Sequence, residues 1–405
     1  MTLPVRHATS IEQIGAARWD ALAGEEIFGN SAWLRTLETA QRLPRVPFYW
    51  WIEDEQGPAA AVAARLRPPG PPAWNIDWGR YGGLAYAIRP LRHLFERRAT
   101  LVCGAQMAPG QPILARPGLS SETYREMGRW LVATIESRCR SEGWNLIFRG
   151  IVEPDVHLRQ IFSGRPYLEG AEWPATVMDI RWDSWPAYLE ELKRTHPATE
   201  KRARSQVNRG RSGGVTIEEL DDPSAVEADL YRILADHHYR KNRDPFYMGP
   251  NFPSILRRNL GDRAIILVAR RNDRILGLSI YLRNRTAVQL KFVGMAADAL
   301  RTHEAVYFNT TYHEMIRRAC EGGFQQLYLG ILTYTPKCRR GARLIPVSSW
   351  IWHPSRTRAA VLRPLLKYQA RRQERRLRPL AVLNRAPHET LHPPYRWSYR
   401  PPVGG

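Results

Sequence analysis

Residues 263–330 constrain the fold more than any other stretch of this chain. The runs 263–270, 275–282 and 287–294 are apolar, of strand length, and separated by the turn sequences Arg271-Asn-Asp-Arg and Arg283-Asn-Arg. Turns that short join antiparallel neighbours, so the three runs predict a meander. An amphipathic helix over 303–320, a strand over 326–330 and a last strand over 344–352 follow it. Upstream, 185–207 reads as a helix with Asp183 or Ser184 as N-cap, and Pro197 should break or kink it midway. Residues 213–220 turn into a strand, and 224–239 and 254–260 read as helices. Helices, a meander, another helix and further strands make an α+β unit built on one mixed sheet.

A looser copy of that order occupies the first half. A helix over 27–40 leads into strands at Phe48-Tyr-Trp-Trp-Ile-Glu and 59–66, joined across the turn signal Glu55-Gln-Gly-Pro. After the loop Pro68-Pro-Gly-Pro-Pro72 come a helix over 121–139, a short strand over 145–149 and a strand over 177–182. A chain of 405 residues exceeds a usual single core. The layout predicts lobes at 1–183 and 184–353, followed by a basic helix and tail at 354–405. No run approaches the roughly 18–20 apolar residues of a membrane span, and residues 1–6 lack a signal-peptide core, so the expectation is a cytoplasmic protein. Cys103, Cys139, Cys320 and Cys338 form no Cys-x-x-Cys pair, which argues against a disulfide framework and a zinc site.

Charge points to a class of partner. Sixty Lys and Arg against 39 Asp and Glu leave +21, of which residues 191–214 hold +5 and residues 355–405 hold +10. Arginines in such clusters bind polyphosphate with a steep salt dependence, because each neutralised phosphate releases counterions. A solvated, arginine-rich surface is the plainer alternative. In the tail, Val361, Leu362, Leu365, Leu366 and Tyr368 precede Arg371-Arg-Gln-Glu-Arg-Arg-Leu-Arg378, so one part can pack on the second lobe while the other projects arginines. Tyr395-Arg-Trp-Ser-Tyr-Arg interleaves aromatics with arginine, a composition that stacks on bases and grips phosphates.

Between the strand at 326–330 and the last strand stands Tyr328-Leu-Gly-Ile-Leu-Thr-Tyr-Thr-Pro-Lys337-Cys-Arg-Arg-Gly341. Pro336 fixes its own φ and biases Thr335 away from helix, and Gly341 permits a φ that other residues avoid. These residues predict a tight turn that presents Lys337 either to a pocket or to solvent.

Taken together, the helix at 185–207 with its basic end, Phe246-Tyr-Met-Gly-Pro, the meander with Gly277, the helix at 303–320 and Tyr334-x-x-Lys337-x-x-x-Gly341 resemble the acyltransferase lobe of Fem-type (FemAB-like) aminoacyltransferases. The resemblance covers residues 184–353 well and the first half loosely. It implies two acetyltransferase-like (GNAT) lobes in tandem, each a mixed, mainly antiparallel sheet flanked by helices. It also implies attack by an amine on an acyl ester or thioester. In the members that use tRNA the donor is an aminoacyl-tRNA, and a lysine in a Phe-Lys-x-x-Phe-like turn lies beside the reacting carbonyl. Lys337 stands at that place, with Pro336 where the first aromatic would be and Arg340 where the second would be. Aromatic support is therefore missing or comes from elsewhere.

Aminolysis of an ester passes through an oxyanion, and a positioned donor or cation stabilises it by roughly 2.7–4 kcal/mol. Lys337 is the first candidate for that cation. Lys291, in Gln289-Leu-Lys-Phe, is the second, although a solvent-facing strand lysine is its plainer reading. His313 or Glu314 could polarise the incoming amine, with an ordinary helix residue as the alternative for each. Asp77 and Tyr81, beside a glycine-rich turn, and Tyr334 are candidates for binding the acceptor. Arg202, Arg204, Arg209, Arg211, Arg339, Arg340, Arg371, Arg372, Arg375 and Arg376 are candidates for binding tRNA. The sequence holds no Gly-x-Ser-x-Gly elbow, no His-Glu-x-x-His pair, and no convincing Gln/Arg-x-x-Gly-x-Gly/Ala turn for the pyrophosphate of CoA. The reading is an aminoacyl-tRNA-dependent transferase without cofactor or metal, forming an amide on a small-molecule or peptidoglycan-type amine. An acyl-CoA-dependent N-acyltransferase on the same fold and a noncatalytic RNA-binding protein on that scaffold are the alternatives.

Overall fold

A computed structural model of the chain describes residues 4–69, 98–152, 156–302, 304–353 and 355–381. Asp77 and Tyr81 lie outside the described residues, as does the aromatic and arginine segment at 395–400. The first half supplies β1 (Val5–Ala8), β2 (Val46–Asp54), β3 (Gly57–Arg67), β4 (Thr100–Cys103), β5 (Leu114–Ala115), β6 (Asn145–Val152) and β7 (Leu168–Ala171). After these come β8 (Ala175–Asp179), β9 (Thr216–Glu219), β10 (Ala264–Arg271), β11 (Arg274–Arg283), β12 (Ala287–Met295), β13 (Gln326–Gly330), β14 (Arg343–Ile345) and β15 (Val347–Trp352). They form two sheets of orders β1-β2-β3-β4-β6-β15-β7, with β5 on β3, and β14-β8-β13-β12-β11-β10-β9.

Each sheet is an antiparallel ladder interrupted by one parallel pair, β4 with β6 and β12 with β13. Parallel neighbours need a crossover connection. The helix Ser121–Glu142 lies in the first crossover and the helical run over 297–321 in the second. Two mixed sheets of this kind, each flanked by helices, match the two-lobed layout that the resemblance implied.

Local chemistry accounts for the elements. The meander matches its prediction to within about a residue because period and turns agree: Arg271 pairs with Arg274, and Asn272 takes φ +53°, a conformation asparagine tolerates. Along β2 the side chains alternate, Tyr49 and Trp51 packing with Trp19 and Leu34, and Trp50 and Ile52 with Leu131 and Ile135. Helices therefore cover both faces of the first sheet. Helix Ser121–Glu142 begins at Ser120, whose side chain accepts from Thr123 N–H, and ends at Gly143 with φ +68°. Pro197 breaks the predicted 185–207 helix into Trp185–Thr195 and Pro197–Ser212, and Ser184 caps the first of them. The predicted 303–320 helix is also divided, into Glu304–Phe308, a π turn at Asn309–His313, and Glu314–Glu321.

Three expectations change. The strand predicted over 344–352 is two strands in different sheets, separated at Pro346, which has no N–H to give a ladder. The strand predicted over 177–182 is β8, which pairs with β13 and β14 in the second sheet, while β15 lies between β6 and β7 in the first. Each sheet thus includes a strand from beyond residue 183 or before it. Finally, the basic helix Arg356–Ala381 packs Leu362 and Leu366 on Ile147, Leu168 and Ile351 of the first sheet, and meets the second lobe at residues 334–338. It follows directly from β15, so it starts where the first sheet lies.

Candidate active site

β12 and β13 part, which leaves an opening in the backbone ladder. They pair only from Ala287↔Gln326 to Gln289↔Tyr328, whereas β12 continues to Met295 along β11. The β11–β12 register shifts between Ile280 and Tyr281, whose partners are Phe292 and Leu290, so Lys291 is the extra residue of a bulge. Gly330, at φ +72°, ends β13, and among the described residues beyond its chain neighbours a Cβ built on it would meet only Leu290 O, at 4.0 Å. Leu332 at φ +63° and Thr333 at φ +51° follow in left-handed conformations that are costly for residues carrying a Cβ, above all a β-branched one. Strain of that kind concentrates at functional sites.

The strained segment delivers the chain into a short helix, Tyr334–Cys338, in place of the predicted tight turn. Pro336 fits because N–H groups of a first helical turn have no intrahelical partner to lose. The helix packs against β8, β14 and the helix Arg356–Ala381. Lys337 is only 4% exposed, and its Nζ donates to Ile331 O at 3.1 Å. Burial pulls its pKa down to about 7, a little offset by the neighbouring Cys338 thiol. Tyr334 donates to Pro174 O at 3.0 Å and tilts its ring against Trp173, so it anchors this helix to the chain between β7 and β8.

Aromatic rings in this region lie against Arg340. The Arg340 guanidinium carbon lies 4.7 Å from the ring centroid of Phe308 and 5.1 Å from that of Tyr312. Arg340 is 3% exposed, which sets it apart from the other nine candidate arginines, all of them exposed. Burial lowers its pKa. His313 joins the same cluster through Nε2, 2.8 Å from Gln206 Oε1, and burial, with the Arg340 charge, drives its pKa down to about 3. It is a neutral core histidine at any ordinary pH. Gln206 was missed in the sequence, where the small residues Ala203 and Gly210 on the same helix stripe were the available signal.

The remaining candidates lie apart. Lys291 reaches across to the first lobe, its Nζ donating to Met107 O and standing 4.9 Å from the Phe28 ring centroid and 5.4 Å from that of Trp33. It is a lobe-bridging lysine in this structure rather than a solvent-facing one. The Glu314 carboxylate accepts from Arg317 at 2.6 Å and from Arg318 at 2.8 Å on its own helix. Near the lobe junction, Glu26 is half-buried as a residue, but its carboxyl is desolvated, which raises its pKa to about 7 despite backbone N–H bonds from Phe28 and Gln111. Nothing in the sequence singled it out. Among the described residues, no group of His, Cys, Asp and Glu is arranged to hold a metal, and no helix is long and apolar enough to cross a membrane.

Exposed arginines stand on two helices that contact residues 334–340. Arg202, Arg204, Arg209 and Arg211 stand on Pro197–Ser212, with Arg204 engaged by Glu200 and Glu190. Arg371, Arg372, Arg375 and Arg376 stand on Arg356–Ala381, which touches the Lys337 helix.

Known structures share this architecture at low identity. A protein assigned as the C-terminal domain of a lysylphosphatidylglycerol synthetase from Agrobacterium fabrum is 12% identical, with a TM-score of 0.52 over 87% of this chain and 95% of its own. L-PGS from Bacillus licheniformis is 12% identical, with a TM-score of 0.51 over 88% and 97%. FemX is 9% identical, with a TM-score of 0.50 over 85% and 97%. Among curated proteins no sequence matches. The model of the FemAB-like family, described as peptidoglycan biosynthesis and recognition, matches residues 99–387. The chain therefore belongs to the FemAB-like family.

Proposed function

We propose that the protein moves an aminoacyl group from the ester of an aminoacyl-tRNA to an amine on a small-molecule or peptidoglycan-type acceptor. The observation that carries this reading is Lys337, a buried lysine of near-neutral pKa on the short helix that follows β13, in a segment contacted by two arginine-bearing helices. The neutral acceptor amine attacks the ester carbonyl carbon, and the C–N bond forms as the carbonyl oxygen becomes negative beside protonated Lys337. Collapse breaks the C–O bond to the ribose 3′ oxygen. That oxygen gains a proton and the amine nitrogen loses one, leaving an amide and a free tRNA hydroxyl. A lysine of pKa about 7 is charged in enough molecules to stabilise the oxyanion and acidic enough to protonate the leaving oxygen. Its charged form is lost as pH rises through that value, so the rate should fall on the alkaline side, and Lys337→Arg should flatten that limb.

Support for an aminoacyl donor comes from the nine exposed arginines and from the relative named for lysylphosphatidylglycerol, which carries a lysyl group. The test is retention of bulk tRNA on the purified protein across a salt series, with sequencing of co-purified RNA. Tight retention at low salt that falls steeply with salt is expected. No retention at low salt, with CoA found by mass spectrometry instead, would overturn the tRNA donor in favour of an acyl-CoA.

A further inference from the structure

The basic helix Pro197–Ser212 and the Lys337 helix meet through a buried polar cluster that the proposed reaction does not use. Gln206 Oε1 accepts from Arg340 Nη2 at 3.4 Å and is 2.8 Å from His313 Nε2, while the Gln206 carbonyl accepts from Asn309 Nδ2 at 2.9 Å. Gly210 makes room for this approach, since a Cβ there would stand 2.6 Å from Asn309 Nδ2. On the other side, Arg340 Nη1 donates to Pro336 O at 2.9 Å, one peptide ahead of Lys337, and Tyr188 donates to Arg340 O at 3.1 Å. The Lys337 carbonyl itself accepts from the N–H groups of Arg340 and Ala342. The stretch 336–340 is therefore closed on itself by Arg340 and held at its Arg340 end by Tyr188 of the helix Trp185–Thr195 and Gln206 of the helix Pro197–Ser212.

Arg340 is costly as a space-filler. It forms no ion pair with a carboxylate among the described residues, and a buried charge is expensive unless its bonding is good, whereas an apolar side chain would fill the volume at less cost. Asn309 and His313 come from a π turn, an irregularity that recurs at functional sites. Arg202, on the outer face of the basic helix, is near enough for its charge to be felt at Arg340.

Resting on the proposed role of Lys337, we infer that Arg340 and Gln206 are positioning residues for it: they tie the stretch that carries Lys337 to the inner face of the basic helix, so that phosphate bound outside that helix and the placement of the lysine are coupled. The coupling runs through one side-chain bond, Gln206 to Arg340, and one carbonyl, Pro336.

Gln206→Met removes the shared acceptor with little change of volume. The variant should remain folded by circular dichroism and thermal melting. Lys337 should then react faster with an acylating amine reagent, read by peptide mass spectrometry, and kcat for transfer should fall roughly 10- to 100-fold with KM for tRNA little changed. Gln206→Glu keeps the acceptor and should label like the wild type. Arg340→Lys keeps the charge but loses the planar fork, should behave like Gln206→Met, and carries the same readouts if Gln206→Met does not fold. Unacylated bulk tRNA should change the labelling of Lys337 in the wild type and leave it unchanged in Gln206→Met. Wild-type labelling in folded Gln206→Met, or an equal tRNA effect in both proteins, overturns the inference. Labelling needs no acceptor and no aminoacyl group, so its outcome is separate from that of the proposed reaction.

Discussion

Gly150 in β6 and Gly330 in β13 occupy the same place in the two lobes. Each lies two residues beyond the last parallel pair, Cys103↔Phe148 in one lobe and Gln289↔Tyr328 in the other, and each has φ +72°. Their surroundings differ completely. A Cβ on Gly150 would stand 2.9 Å from Ala108 O and 3.2 Å from Pro109 Cα, and Gly110 N–H donates to Gly150 O at 2.9 Å. The first lobe thus fills the parting of its parallel strands with its own segment 104–112. In the second lobe, among the described residues and apart from its chain neighbours, the nearest atom to such a Cβ is Leu290 O at 4.0 Å, and Lys337 donates to the carbonyl of Ile331, the residue after Gly330. The filled copy serves as a rigid docking block: Trp33 of the first lobe holds Gln106 O at 3.0 Å, and Lys291 of the second grips Met107 O.

That contrast can be broken most decisively at Lys337. Lys337→Ala should lower single-turnover amide formation by about 100- to 1,000-fold while leaving fold and tRNA retention intact. Wild-type turnover would place the chemistry elsewhere. The next largest effect concerns Glu26, whose carboxyl lies close to Gly110 in the plug. Its folded pKa is raised from 4.5 to about 7, so the folded state holds the proton more tightly and stability is lost as pH rises through that window. Glu26→Gln should therefore stabilise the protein at pH 8, by up to about 3 kcal/mol, and make little difference near pH 4.5. Urea midpoints of both proteins at the two pH values check this, and an equal difference at both would count against a desolvated carboxyl.

Smaller effects sharpen the comparison of the glycines. Gly150→Ala should cost about 1–3 kcal/mol in stability, through strain and contact with Ala108 O, with no change in turnover per folded molecule. Gly330→Ala should cost only about 1 kcal/mol but lower kcat/KM, because it intrudes on the opening. The reverse assignment of the two phenotypes would refute the filled and open reading. Lys291→Met should weaken the lobe junction by about 1–2 kcal/mol through loss of its ring contacts and its bond to Met107 O. Lost turnover at unchanged stability would instead make Lys291 a reacting cation.

Features set by local chemistry were legible in the sequence. The meander, the break at Pro197, the Ser184 cap and the repeat of strand, crossover helix and strand all follow from period, capping and turn residues within a few positions. The exchange of β8 and β15 was not, because a strand of five or six apolar residues carries no record of its distant partner. The same holds for Lys337 at residue level. Its type and neighbours pointed to a turn, whereas its burial depends on β8, β14 and a helix that come from three other parts of the chain. Arg340 read as one more surface arginine because the rings beneath it, Phe308 and Tyr312, are about 30 positions away. For Glu26 no pattern existed to be read: its environment is made by a loop 80 residues on.

The placement of β15 also sets an order of manufacture. The first sheet has a vacant lane between β6 and β7 until Val347–Trp352 arrives, so a ribosome must deliver the chain through residue 352 before the leading lobe can be completed. Any product that stops short of residue 347 exposes two strand edges to pairing with other chains. The two lobes can therefore be neither synthesised in sequence as finished units nor recombined with other partners as separate gene segments.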